Sequence, residues 1–232
     1  MMMEPTQIKI GLTPSSQCSY LDNQEERVAV ILDEALHTPA HYEVFLANGF
    51  RRSGAMIYRP HCQFCQACQS IRVSIPDITW SKSQKRLLNK AKHISWELKP
   101  QLDNDWFNLY ERYIEARHQA GSMYPANKEV FESFILSDWI KPQYLHLYDE
   151  NKLIAIAVTD CLSNSLSAFY TFYEPEHPLS LGTLCVLLQL KQCKTMQKQW
   201  LYLGYQIDDC PAMNYKVRFQ RHQKLVNQRW QG

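Results

Sequence analysis

Between Tyr144 and Gly204 the chain presents a succession of segments that few folds accommodate. Tyr144 to Tyr148 and Leu153 to Cys161 have strand length and strand composition, and the polar Asp149-Glu-Asn-Lys152 between them is a turn. Ser165 to Tyr173 is a third strand. A loop with two prolines follows, then a helix over about Leu181 to Lys198 and a strand at Trp200 to Gly204. A strand, a helix and a strand in such short order predict parallel strands joined by a right-handed crossover. This half of the chain is expected to be a meander feeding a β-α-β unit.

The remainder reads less regularly. Residues 1–20 look irregular. Val28, Ile31, Leu32 and Leu36 recur at helical spacing and predict a helix over Gln24 to Leu36. His41 to Asn48 is a second helix closed by Gly49, Phe50 to Tyr58 a single strand, and Ile71 to Ile75 a strand stopped by Pro76. Ser81 to Lys99 reads as a helix running into a strand near His93 to Leu98, and Asp103 to Gln119 as an amphipathic helix with Trp106, Leu109, Tyr110, Tyr113 and Ile114 on its apolar face. A last helical stretch is expected after Pro211. The fold class is α/β (α+β), divided near Pro100 into residues 1–100 and 101–232.

Composition narrows the function. Apolar residues make up 45% and charged residues 21% of 232, which is ordinary for a globular chain. No apolar run reaches membrane-spanning length, and Met1 to Ile10 has no apolar signal core, so a cytoplasmic protein with reduced thiols is expected. Neither common nucleotide-phosphate loop is present, nor are the zincin, nucleophile-elbow or kinase motifs.

Four stretches carry chemistry. Cys62, Cys65 and Cys68 stand two residues apart, with His61 before them. Thiolates at this spacing can reach one zinc ion or iron–sulfur cluster, with Cys18 as the natural fourth ligand and His61 the second choice, or they can be reduced thiols packed between strands. Basic residues gather in Ser81 to Lys99, in residues 214–232, which contain no acid, and at Lys191, Lys194 and Lys198. One such run is usually a solvated helix face; three together fit a phosphate backbone. At Gly182-Thr183 a helix start lacks the glycine-rich turn that pyrophosphate binding in acetyl-CoA enzymes requires. Finally, the strand ending at Gly204 delivers Tyr205, Gln206, Asp208 and Asp209 to a loop, where Asp208 or Asp209 is either chemistry or a helix cap.

Taken together, Cys18-Ser-Tyr20, Tyr42-Glu43, Gly49 to Gly54, Pro60 to Cys68, Ser83 to Arg86, Tyr170 to Pro175, Ser180 to Thr183 and Tyr202 to Phe219 resemble the aminoacyl-tRNA–protein transferases. More narrowly they resemble the bacterial aspartate/glutamate leucyltransferases, the leucyl-tRNA-dependent branch of the arginyl-tRNA–protein transferase family. The resemblance covers almost the whole chain. It implies transfer of Leu from Leu-tRNA to proteins beginning with Asp or Glu, within the N-end-rule pathway, and a GNAT-like acyltransferase domain behind a smaller cysteine-containing region. Eukaryotic arginyl relatives add an adjacent cysteine pair, where this chain has Leu21 after Tyr20.

An aminoacyl ester is already activated, so no cofactor and no enzyme nucleophile is required, and positioning and oxyanion stabilisation remain. Tyr205, Gln206, Asp208 and Asp209 are the expected catalytic residues. Arg52, Arg72 and Lys216, with Arg117 and His118 behind them, are the expected readers of the acidic acceptor. A non-catalytic RNA-binding protein with a structural metal, an Arg-tRNA-dependent transferase and an acyl-CoA-dependent enzyme remain the competing readings.

Overall fold

The computed structural model describes residues 7–119, 121 and 123–232. Short strands β1 (Ile10–Leu12), β2 (Ser16–Gln17), β3 (Glu25–Glu26) and β4 (Val28–Ile31) come first, then helix α1 (Pro39–Ala47) and strands β5 (Arg51–Ser53) and β6 (Met56–Pro60). They are followed by β7 (Gln69–Ser74), α2 (Lys82–Lys90), β8 (Ser95–Lys99), α3 (Trp106–Arg117) and α4 (Lys128–Ile135). The last third holds β9 (Gln143–Asp149), β10 (Lys152–Cys161), β11 (Ser165–Tyr173), α5 (Leu181–Thr195), β12 (Trp200–Gln206), β13 (His222–Val226) and β14 (Arg229–Gln231).

One large sheet dominates this mixed α/β fold, in the order β14-β13-β7-β12-β11-β10-β9-β8. It contains the meander β9-β10-β11 and the β11-α5-β12 crossover that the sequence predicts. Its strands pair antiparallel except β11 and β12, which are parallel. The sheet is continuous across Pro100, since β7 and β8 precede that residue. A smaller sheet, β1-β4-β6-β5, leans on it with α1 through Tyr42, Phe45, Ile57 and Tyr202.

Strand alternation distributes the core. On one face of β10, Ile156 and Val158 join Phe172 beneath Trp106, Tyr110 and Phe131 of α3 and α4. On the other, Ala155 and Ala157 lie beneath Leu181, Leu184 and Leu188 of α5. The small alanines let the helix approach closely.

The pairing of β11 with β12 is short. Ser165, Leu166 and Ser167 oppose Trp200, Leu201 and Tyr202, and beyond those positions the two strands no longer pair. The sheet therefore opens where β12 delivers Gly204, Tyr205 and Gln206.

Several local expectations are corrected. Gln24 to Leu36 is no α-helix: it forms β3, β4 and a 3₁₀ turn at Glu34–Leu36. Val28-Ala-Val-Ile31 is rich in β-branched residues, and pairing with β1 and β6 overrides the helical spacing. Phe50 to Tyr58 is a hairpin, turning at Gly54 with φ +55°, where an added Cβ would stand 2.6 Å from the Ser133 carbonyl. After Pro211 there is only a 3₁₀ helix, Asn214–Arg218, followed by the hairpin β13-β14, which turns through Asn227 and Gln228 at positive φ. Helix α4 has no counterpart among the sequence expectations, although Asn127 caps it by accepting from Val130 N–H and Phe131 and Ile135 share its buried face. β1 and β2 lie within the stretch expected to be irregular.

Candidate active site

The end of β12 assembles the site. The Tyr205 hydroxyl donates to the Gly49 carbonyl at 3.0 Å and is buried, so this tyrosine ties β12 to the loop before β5. Gln206, also buried, donates from Nε2 to Asp208 Oδ1 at 2.7 Å and to the Asn214 carbonyl at 3.3 Å. Asp208 and Asp209 are exposed, and Asp208 Oδ2 lies 3.7 Å from Lys224 Nζ. Neither aspartate caps a helix: the residue before the 3₁₀ helix is Met213, whose side chain makes no capping bond.

Lys216 is inside the protein, only 6% exposed. Its Nζ donates to the Tyr205 carbonyl at 2.5 Å and touches Met213 Sδ at 3.3 Å. Burial, and then the nearby Arg51 guanidinium, lower its pKa to about 7. Arg51, which is not among the residues expected from the sequence, is 7% exposed. It enters the opening between β11 and β12: Nη2 donates to the Ala168 carbonyl at 3.1 Å, and a Cβ on Gly204 would lie 3.7 Å from Nη2. Arg51 Nη1 is buried without an acceptor among the described residues. The motif Gly49 to Gly54 carried this arginine in plain view, but nothing local says which of two adjacent arginines meets an acid.

Arg52 meets it. Its Nε and Nη2 grip Asp160 at 2.9 and 2.6 Å, and its Nη1 donates to the carbonyls of Gly54 and Ile135. Both side chains are fully buried. The expectation that Arg52 reads a substrate is corrected: its fork is occupied by an internal carboxylate and it organises the core.

Arg72 is half-buried between the rings of Trp200 and Trp230, at 3.6 and 4.0 Å, and bonds Gln223 Oε1 and the Tyr202 hydroxyl. Burial lowers its pKa. Arg117 and His118 lie elsewhere, at the end of α3. Arg117 donates to the Pro175 carbonyl, and His118 shares a hydrogen bond with the Tyr113 hydroxyl. Burial and then Arg117 lower the His118 pKa, keeping the ring neutral.

The cysteines are far in sequence from β12 but adjacent in space. Cys18, Cys62, Cys65 and Cys68 line a cavity of about 140 Å³ that Tyr58, Tyr205 and Ile207 also wall. Burial, and then the thiols of Cys62, Cys18 and Cys65, push Cys68 up to about 12. Four thiols are a donor set of the kind zinc accepts. As arranged, however, no three His, Cys, Asp or Glu side chains among the described residues form a ligand group for one ion. His61 is exposed. Cys185 and Cys193 are buried among apolar side chains, the surroundings of inert thiols.

The basic runs converge. α2 packs on α5 through Leu87 and Leu88, and Gln84 Nε2 donates to the Arg218 carbonyl. Lys82, Lys85, Arg86, Lys191, Lys194 and Arg218 are exposed, and among the described residues none is in an ion pair. Among those residues, too, no helix is long and apolar enough to cross a membrane.

Residues 16–86 match the family described as arginine-tRNA-protein transferase, N terminus, and residues 105–226 match arginine-tRNA-protein transferase, C terminus. The chain belongs to the arginine-tRNA-protein transferase family. It is similar to proteins named aspartate/glutamate leucyltransferase: 62% identical over 97% of both chains to that of Vibrio vulnificus (strain YJ016), and 48% identical over 97% of both to that of Pseudoalteromonas atlantica. Among solved structures, L-PGS from Bacillus licheniformis aligns with 72% of this chain and 49% of its own at TM-score 0.48 and 13% identity, too slight a likeness to define the fold.

Proposed function

We propose that this chain transfers Leu from Leu-tRNA to the α-amine of proteins beginning with Asp or Glu, directing them to N-end-rule degradation. What carries the reading is the end-to-end likeness, 62% identity over 97% of both chains, to relatives named aspartate/glutamate leucyltransferase. In this reaction the acceptor amine attacks the aminoacyl ester carbonyl, an amide C–N bond forms, the ester C–O bond breaks, and the amine's proton passes to the departing tRNA 3′-oxygen. An α-amine titrates near pH ~8, so the nucleophile needs little activation at neutral pH.

Within that scheme Asp208 accepts the amine proton, oriented by the 2.7 Å hydrogen bond from Gln206, and Asp209 stands beside it as the alternative base. Tyr205 positions the strand end, its hydroxyl being engaged with Gly49. Lys216 and Arg72 serve the acceptor, and Arg117 and His118, at the end of α3, stand behind them. The exposed cations of α2, α5 and Arg218 take the tRNA phosphates. A GNAT-like arrangement of residues 101–232 belongs to the same reading, supported by parallel β11 and β12 that part after three paired positions. A division near Pro100 is supported by family matches that end at 86 and resume at 105. Because Leu-tRNA is a cytoplasmic species, the proposed compartment is the cytoplasm. No step is routed through a metal.

Radiolabelled Leu-tRNA and Arg-tRNA offered with peptides starting Asp, Glu, Arg or Ala test this. Label from Leu-tRNA on Asp and Glu starts is the expected result. Label from Arg-tRNA alone would change the donor, and no label from either would overturn transfer altogether. Asp208→Asn should lower kcat by about 10²-fold or more. Undiminished transfer in both Asp208→Asn and Asp209→Asn proteins removes them as bases.

A further inference from the structure

A buried cation without a counter-charge is costly, and two side by side are more so. Arg51 and Lys216 are both more than nine-tenths buried and converge on the end of β12, Arg51 beside Gly204 and Lys216 on the Tyr205 carbonyl, yet among the described residues neither makes an ion pair. Their combined hydrogen bonding is two backbone carbonyls and one thioether, and Arg51 Nη1 has no acceptor. Such an arrangement persists where the missing anion arrives with a ligand.

The opposite deficiency lies alongside. Gln69 and Gln206 are register partners across β7 and β12, so their side chains share one side of the sheet. Each has a buried Oε1 that no donor reaches. Unfilled donors beside unfilled acceptors describe a ligand carrying a carboxylate and an amine a few bonds apart. The first residue of an Asp- or Glu-start protein is such a ligand. The cysteine-lined cavity approaches this place, since its wall Tyr58 is the register partner of Arg51 and the carbonyl of its wall Tyr205 accepts from Lys216.

We propose that Arg51 and Lys216 form the subsite for the side-chain carboxylate of the acceptor's first residue, with Gln206 and Gln69 receiving N–H groups of its α-amine. This rests on the acceptor assignment made under the proposed function. An ester carbonyl would be a weaker occupant, because it is neutral until the transition state, whereas a carboxylate neutralises the pair on binding. A neutral Asn or Gln start leaves both cations unpaired, which is how buried polar groups reject an analogue.

The test is the ratio of kcat/KM for Asp-start over Asn-start peptides with Leu-tRNA, in the wild type and in Arg51→Met, Arg51→Lys and Lys216→Met proteins. Each Met variant is expected to lower that ratio by about 30-fold or more, mainly through KM for the Asp peptide, while Arg51→Lys retains most of it. A ratio unchanged in both folded Met variants overturns the subsite. An equal loss on Asp and Asn starts also overturns it, assigning the pair to the ester or to folding instead. Absence of transfer by the wild type to any acidic start is a separate outcome that rejects the function itself. Should one Met variant not fold, the other decides, because the two cations stand on different elements.

Discussion

Arg51 and Arg52 are neighbours on β5, and both are buried, yet their guanidinium groups find opposite surroundings. Alternation along the strand sends them to different sides. Arg52 meets the carboxylate of Asp160 and two carbonyls, and its charge is closed off inside the protein. Arg51 meets the Ala168 carbonyl, the bare Gly204 and a second cation, Lys216, and its charge stays open. The closed pair is structural, and the open pair is the proposed subsite, because stability alone would not retain two uncompensated charges behind a cavity. Burial therefore does not distinguish a core arginine from a site arginine; the identity of its partner does.

The largest test falls on the closed pair. Asp160→Ala leaves Arg52 buried without its counter-charge and should cost about 3–5 kcal/mol in urea unfolding, whereas Arg52→Met with Asp160→Leu should recover most of that loss. A cost below about 1 kcal/mol for Asp160→Ala would mean that Arg52 is not closed off as described.

The open pair should behave in the other direction. The folded-state pKa of Lys216, about 7, lies below its ordinary value of 10.5. Between those two values the unfolded chain holds a proton that the folded chain has released, so the Lys216 contribution makes stability rise with pH across that window. Below pH 7 the folded state takes up the buried charge. Lys216→Met is accordingly expected to gain on the order of 1 kcal/mol in unfolding free energy at pH 6 and to flatten the rise from pH 7 upward. A loss of stability at pH 6 would show that Lys216 is compensated after all.

The smallest effect is expected at the cavity's outer wall. Cys62 and Cys65 make no hydrogen bond to Arg51 or Lys216, and no transfer step passes through a thiol. Cys62→Ser, or treatment of anaerobically purified protein with a chelator, should leave kcat for Leu transfer within about twofold. Metal analysis of the same preparation reports whether zinc or iron is held there. A collapse of the Asp-over-Asn preference on chelation would join the thiols to the open pair and erase the contrast between wall and subsite.

Much of the layout could be read without coordinates. The meander and crossover followed from strand composition, turn residues and length, and the residues of the Tyr205 to Asp209 stretch were singled out because a strand ends there. Other readings failed for identifiable reasons. The helical spacing of Val28, Ile31, Leu32 and Leu36 was coincidental in a β-branched segment with two pairing partners. The sequence points to Arg52 as a reader because its partner Asp160 is 108 residues away and leaves no local sign. Lys216 is expected from the sequence as a reader of the acidic acceptor, and its burial is visible only in the structure.

Local chemistry along the chain was thus sufficient to set the order of elements from β9 to β12, the cysteine spacing and the loop that closes β12. Each depends on residues within about a dozen positions of one another. Contacts across long stretches of chain decided the rest: which arginine met an acid, that Cys18 and Cys62 to Cys68 share a wall with Tyr205, and that the three basic runs converge. Charge compensation depends on which groups lie within a few ångströms, and sequence separation carries no information about that distance.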